Sequence, residues 1–193
     1  YALAKMPFAQ DLVPLYAEHL CRVIAAQKGK SKRGLILDLD NTLWDVEPAL
    51  LRAEDAQRVW LLEHRPGTIE QYDHQALWEF KKSVWKRFPH FVHNVSAMRH
   101  QMLLELQMAA GYEEEKAHEG AKRAFAEFLA ERHRVELYEE ALGVLETLAK
   151  QYSLGALTNG NADIYKTDAG EYFDFAFLAE EFGASKPAPD MFH

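Results

Sequence analysis

Cysteine is nearly absent: Cys21 stands alone among 193 residues, which rules out a disulfide within the chain and leaves a thiolate metal site without a second ligand. It lies in an apolar helical pattern, where a small buried residue is expected rather than a nucleophile. Long apolar runs are also missing. No stretch approaches the roughly 20 residues that cross a bilayer, and no signal-peptide pattern opens the chain, so the cytoplasm is the expected location. Basic excess is lacking too: 22 Lys and Arg face 30 Asp and Glu, a formal net charge of -8. Neither nucleic acid nor an anionic membrane surface is therefore an expected partner. With 48% hydrophobic residues, the chain can bury one domain, or a core plus a cap.

The most informative stretch is Asp38-Leu39-Asp40-Asn41-Thr42, directly after the apolar run Leu35-Ile36-Leu37. A short apolar run ending in polar residues predicts a buried central parallel strand, with the ligand crevice outside its carboxyl end. Strand side chains alternate, so Asp38 and Asp40 share a face and Leu39 points away. Two converging carboxylates repel unless a cation joins them, and Mg²⁺, which takes hard oxygen ligands and keeps exchangeable waters, suits Asp38 and Asp40 as metal ligands. A turn built from Asp and Asn is the plainer alternative. A carboxylate in this place could attack phosphorus to form an aspartyl phosphate, and Asp38 is the candidate nucleophile. A second carboxylate could protonate the leaving group and then activate water, which is the role open to Asp40.

Asp38-x-Asp40-x-Thr42 resembles the first motif of the haloacid dehalogenase-like (HAD) hydrolases. Leu154-Gly155-Ala156-Leu157-Thr158-Asn159-Gly160 is similar to their second motif, and Lys186 in Gly183-Ala184-Ser185-Lys186-Pro187-Ala188-Pro189-Asp190 to their third. The resemblance implies a Rossmann-like α/β core with a parallel sheet. It also implies phosphate-ester chemistry over dehalogenation, since relatives that cleave carbon–halogen bonds lack the second Asp. Within that frame Thr158 offers a hydroxyl donor, Asn159 and Gly160 offer substrate-binding N–H groups, and Lys186 offers a positive charge for both phosphate and Asp38. Trp44-Asp45-Val46-Glu47-Pro48, Thr158-Asn159-Gly160-Asn161-Ala162 and Tyr172-Phe173-Asp174-Phe175 look like bacterial HAD phosphatases of the group that includes the flavin-pathway enzyme acting on 5-amino-6-(5-phosphoribitylamino)uracil. That likeness implies a small phosphorylated substrate: a sugar phosphate, a nucleotide or a flavin precursor.

Residues 46–136 read as helices inserted into a core made of 1–45 and 137–193. Pro48 fits a first helical turn, and helical patterns run from Ala49 to Leu62, Asp73 to about Phe88, Ser96 to about Ala110 and Glu114 to about Arg134. Tyr138 to Lys150 reads as a core helix, and Tyr152–Leu157 and Phe173–Leu178 as strands. The insertion resembles the α-helical cap of HAD phosphatases. It is rich in aromatic and basic residues, among them Trp78, Phe80, Lys81, Lys82, Trp85 and Arg99, which could stack on a ring and meet a phosphate. The plainer expectation is that Trp78, Val84, Trp85 and Phe88 form a buried stripe with the lysines in water.

Two departures from the HAD pattern stand out. The segment Phe8 to Ile24, with Gly29-Lys30-Ser31-Lys32-Arg33, looks more like the lead-in of HAD-type domains that load glyceryl units onto carrier proteins. The sequence also stops at His193 before the acidic fourth motif, so the core is expected to be C-terminally incomplete. Asp163 or Asp190 could then substitute as a metal ligand. The strand ending at Asp38 is further expected to expose an edge through which chains could self-associate. A non-catalytic module that binds phosphorylated ligands or a partner, and a glyceryl or phosphoryl transferase, are the alternatives to a phosphatase.

Overall fold

A computed structural model describes residues 33–192. The N-terminal amphipathic segment, with Cys21, lies outside the described residues. Two compact units emerge: one holds residues 33–44 and 137–192, the other Asp45–Glu136.

The first unit is a three-stranded parallel sheet in the order β1-β2-β3, where β1 is Arg33–Leu37, β2 is Tyr152–Thr158 and β3 is Phe175–Leu178. Leu35 pairs with Leu154 and Leu37 with Ala156, while Ala156 pairs with Ala176 and Thr158 with Leu178. The buried central strand is β2, whose residues from Ser153 onward are all buried. Each large apolar side chain there, such as Leu154, contributes on the order of 1.5–3 kcal/mol by leaving water. Gly155 is required in β2 because the Phe175 ring packs on it: a Cβ at that position would lie 2.2 Å from the ring. The expectation of a buried strand at 35–37 needs correction. Among the described residues β1 pairs with β2 alone, Leu35 and Leu37 are half-buried, and Ile36 is 52% exposed. An apolar run shows that a strand forms, but its burial depends on which neighbours arrive on each side.

A helix, α5 (Ala141–Ala149), precedes β2, and a single turn, α6 (Ala179–Phe182), follows β3. The chain leaves this unit after Trp44 and returns at Leu137. Those two residues form an antiparallel bridge, and the Tyr138 N–H donates to the Leu43 carbonyl at 2.9 Å.

The second unit is helical: α1 (Val46–His64), α2 (His74–Arg87), α3 (Val95–Ala109) and α4 (Glu114–Arg132). Three of these starts are fixed by side-chain caps. Asp45 accepts from the Glu47 N–H, Asp73 from the Ala76 N–H and Asn94 from the Ala97 N–H, each satisfying an otherwise orphaned donor. Small residues on α4 (Ala117, Ala121 and Ala124) pack with Leu61, Leu103 and Leu104 in one core. A second core holds Val84, Met98, Met102 and Leu106, against which Leu77, Phe80 and Phe88 pack. The stripe expected on α2 is therefore only half right. Val84 is fully buried, but Trp78 and Trp85 are 46% and 45% exposed. The buried side of α2 follows Leu77, Phe80, Val84 and Phe88 instead.

Candidate active site

The site grows from the loop that follows β1. Leu39 is buried and its carbonyl accepts from the Thr42 and Leu43 N–H groups at 3.1 and 2.9 Å, which turns the chain sharply beyond the strand. Asn41 sits at φ 59, a left-handed conformation that Asn tolerates better than most residues. Its N–H donates to the Trp44 carbonyl at 2.8 Å. Trp44 is fully buried, and its indole Nε1 donates to Asp40 Oδ1 at 2.9 Å. One large buried side chain thus closes the turn and holds Asp40 in a single orientation.

Asp38 occupies the first position after the strand, with its side chain 46% exposed. Its Oδ1 accepts from its neighbour's N–H, that of Leu39, at 2.8 Å and pairs with Lys186 Nζ at 2.7 Å. Lys186 is less exposed, at 19%, and its Nζ also donates to the Leu157 carbonyl at 2.5 Å. An ammonium has three donors, so one remains for an incoming anion. The lysine therefore joins the tips of β1 and β2, although it lies 148 positions from Asp38 in sequence (186 − 38). Thr158, the last residue of β2, is buried, and its Oγ1 accepts from the Gly160 N–H at 3.0 Å. Its hydroxyl hydrogen is left to donate.

Asn159 and Gly160, the residues expected to contact substrate, also make contacts within the chain. The Asn159 amide is spent on the Lys186 main chain: Oδ1 accepts the Lys186 N–H at 2.8 Å and Nδ2 donates to the Lys186 carbonyl at 3.0 Å. The Gly160 N–H is given to Thr158. Sequence reasoning did not anticipate the parts of Trp44 and Asn159. The only signal for Trp44 was a large indole four residues after Asp40, and for Asn159 its place beside Thr158.

The donor set at the loop suits a small hard cation, because Mg²⁺ accepts one or two carboxylates with water and substrate phosphate completing its shell. Asp38 and Asp40 are the residues that would hold it. Among the described residues no cluster of three acidic, His or Cys side chains could enclose a metal ion. Asp163, one of the expected substitutes, has local contacts: its carboxylate caps the Tyr165 N–H at 3.1 Å and pairs with Lys166 at 3.4 Å. Among the described residues no helix is long and apolar enough to cross a membrane.

Parallel strands whose carboxyl ends join an aspartate to a lysine define a Rossmann-like α/β protein with a carboxylate–lysine centre. Residues 32–193 match the family model described as haloacid dehalogenase-like hydrolase, and the chain belongs to that family. It is 32% identical over 158 residues to the 5-amino-6-(5-phospho-D-ribitylamino)uracil phosphatase YigB of Escherichia coli K12, covering 82% of this chain and 66% of that one. Among solved structures it resembles a 2-haloacid dehalogenase from Pseudomonas syringae pv. Tomato DC3000, with 39% identity, a TM-score of 0.78 and coverage of 83% of this chain and 70% of that one. The magnesium-bound HAD hydrolase YfnB of Bacillus subtilis shares the fold at 20% identity and a TM-score of 0.52, covering 84% of this chain and 72% of that one.

Proposed function

We propose that this hydrolase cleaves phosphate monoesters of small metabolites through an aspartyl phosphate. The observation that carries the reading is the pair of differently held carboxylates on one loop. Asp38 is tied through Oδ1 to Lys186, and Asp40 is tied to Trp44. Oδ2 of Asp38 attacks phosphorus, and the bond from phosphorus to the leaving oxygen breaks as Asp40 gives that oxygen a proton. A water then attacks the aspartyl phosphate and Asp40 takes its proton, which releases inorganic phosphate, frees the Asp38 carboxylate and returns Asp40 to its protonated form. Lys186 and the Thr158 hydroxyl offer fixed donors for charge on the phosphoryl oxygens. Mg²⁺ bound by Asp38 and Asp40 would add charge neutralisation at the same place. Likeness to YigB supports a phosphorylated substrate, and the chain spans 66% of that relative's length.

A second reading follows from the 39% identity to a 2-haloacid dehalogenase, in which Asp38 would displace halide from carbon. Asp40 favours the first, because displacement of halide needs no acid for its leaving group. The test is turnover of an aryl phosphate and of 2-chloropropionate, each with Mg²⁺ and with EDTA. We expect Mg²⁺-dependent release of phosphate, no release of chloride, and loss of turnover in Asp38→Asn by orders of magnitude. An Asp38→Asn chain keeping more than about a tenth of the parent rate would refute the nucleophile.

A further inference from the structure

The tip of β2 carries a chemistry that the reaction at Asp38 does not use. Of the four asparagines in the chain, Asn41, Asn94 and Asn161 precede Thr42, Val95 and Ala162, and Asn159 alone precedes a glycine, Gly160. An asparagine side-chain amide is open to attack by the backbone nitrogen of the next residue, and a glycine there has no Cβ to obstruct ring closure. Asn159 is exposed, so water has access to the ring that forms.

The fold restrains both reacting groups. The Gly160 N–H, whose nitrogen is the nucleophile, donates to Thr158 Oγ1 at 3.0 Å. The Asn159 amide is held at both ends by the Lys186 main chain, with Oδ1 accepting its N–H at 2.8 Å and Nδ2 donating to its carbonyl at 3.0 Å. Ring closure requires the nitrogen to give up its proton and the amide to swing from Lys186 onto its own backbone, so all three hydrogen bonds must break first. Each bond lost makes the reactive arrangement about fivefold more accessible. The clamp that places Lys186 therefore also guards Asn159.

We propose that Asn159 is a self-modification site, at which slow deamidation onto Gly160 disables the Lys186 clamp, and that Thr158 and the Lys186 main chain hold the reaction back while the site is closed. The Gly160 nitrogen gives its proton to solvent and bonds to Asn159 Cγ; the Cγ–Nδ2 bond breaks and Nδ2 leaves as ammonia. Water then opens the cyclic imide. Breaking the new Cγ–N bond leaves aspartate, and breaking the Asn159 backbone C–N bond leaves isoaspartate. In the aspartate product the donor to the Lys186 carbonyl has become an acceptor, so two oxygens face each other, and a new negative charge competes with Asp38 for the ammonium. In the isoaspartate product the main chain runs through the side-chain carbon and moves the clamp bodily. The loss of turnover rests on the phosphatase reading; the chemistry at Asn159 does not.

The test is incubation of the full chain at mildly alkaline pH, folded and in urea, with the amide-to-acid mass change at each asparagine followed by peptide mass spectrometry. In urea Asn159 should convert well before Asn161, its neighbour in the same peptide. In the folded chain Asn159 should convert about tenfold to a hundredfold more slowly than in urea. Thr158→Val, which deletes the acceptor for the Gly160 N–H, should speed folded-state conversion about fivefold over Thr158→Ser, which keeps it. Thermal melts confirm that both variants fold, and the comparison of folded with unfolded parent needs neither. Asn159→Asp, made as the product, should lower aryl phosphate turnover by about tenfold or more. The proposal is overturned if Asn159 converts as fast folded as in urea, if Asn161 converts alongside it in urea, or if folded Thr158→Val and Thr158→Ser convert equally. Folded Asn159 still intact after about a thousand half-lives of the urea reaction, or full turnover by Asn159→Asp in a chain that hydrolyses phosphate, would overturn it as well. The mass readout needs no turnover, so its failure and that of the phosphatase reading are separate.

Discussion

Replacing Asn159 by alanine removes two hydrogen bonds, of 2.8 and 3.0 Å, that clamp the main chain of Lys186. Each is worth about 1 kcal/mol net, and less here because the pair is exposed, so the fold should lose no more than about 2 kcal/mol. The effect on rate should be larger than that loss suggests. Lys186 Nζ makes two short contacts, to Asp38 and to the Leu157 carbonyl, and both depend on where its backbone starts. A misplacement of about 1 Å near reacting groups can cost as much as 10²-fold, so Asn159→Ala should lower kcat by about 10- to 100-fold. Removing the lysine itself should cost about 10²–10³, as for other fixed electrostatic donors. The decisive measurement is a double-mutant cycle on aryl phosphate hydrolysis, with thermal melts to confirm that each variant is folded. If Asn159 acts by placing Lys186, Asn159→Ala in the Lys186→Ala background should change kcat by less than about threefold. Losses that multiply across the two sites would refute the clamp and leave Asn159 with an independent role.

Asp40→Asn should slow turnover by about 10²- to 10⁴-fold, and single-turnover phosphorylation should be hurt less for aryl than for alkyl phosphates. Equal losses on the two substrates would remove the proton-donor role. Trp44→Phe keeps most of the buried ring but deletes the 2.9 Å donor to Asp40. It should cost about 1–3 kcal/mol in stability, read by denaturant midpoint, and lower kcat with KM nearly unchanged; a rise in KM alone would count against orientation of Asp40. The outer edge of β1, unpaired among the described residues, should allow concentration-dependent association, visible by light scattering. A chain that stays monomeric to high concentration would show that edge to be covered.

Much of the fold was legible because local rules govern it. The helical patterns read from Ala49, Asp73, Ser96 and Glu114 correspond to helices that begin at Val46, His74, Val95 and Glu114, and Asp45, Asp73 and Asn94 fix three of those starts by chemistry that needs no tertiary partner. The pairing of Asp38 with Lys186 was legible only through the order of motifs, since nothing local links residues so far apart. The orientation of α2 was not legible. Positions 77, 80, 84 and 88 and positions 78, 81, 82 and 85 lie on adjacent stripes, and both contain aromatic residues. Periodicity cannot choose between them; Met98, Met102 and Leu106 on the neighbouring helix do. The burial of β1 was not legible for a similar reason, because Ile36 is as apolar as a central-strand residue yet is 52% exposed.

The bridge between Trp44 and Leu137 makes the 92 residues from Asp45 to Glu136 (136 − 45 + 1) a closed loop as far as the sheet is concerned. The strands experience two chain ends held side by side, whatever lies between them. Closing such a loop becomes only slightly harder with length, by about 0.6 kcal/mol for each doubling. Insertions of very different size can therefore occupy this doorway at nearly equal expense to the sheet, and a lineage can exchange one helical unit for another without redesigning the strands that hold Asp38 and Lys186.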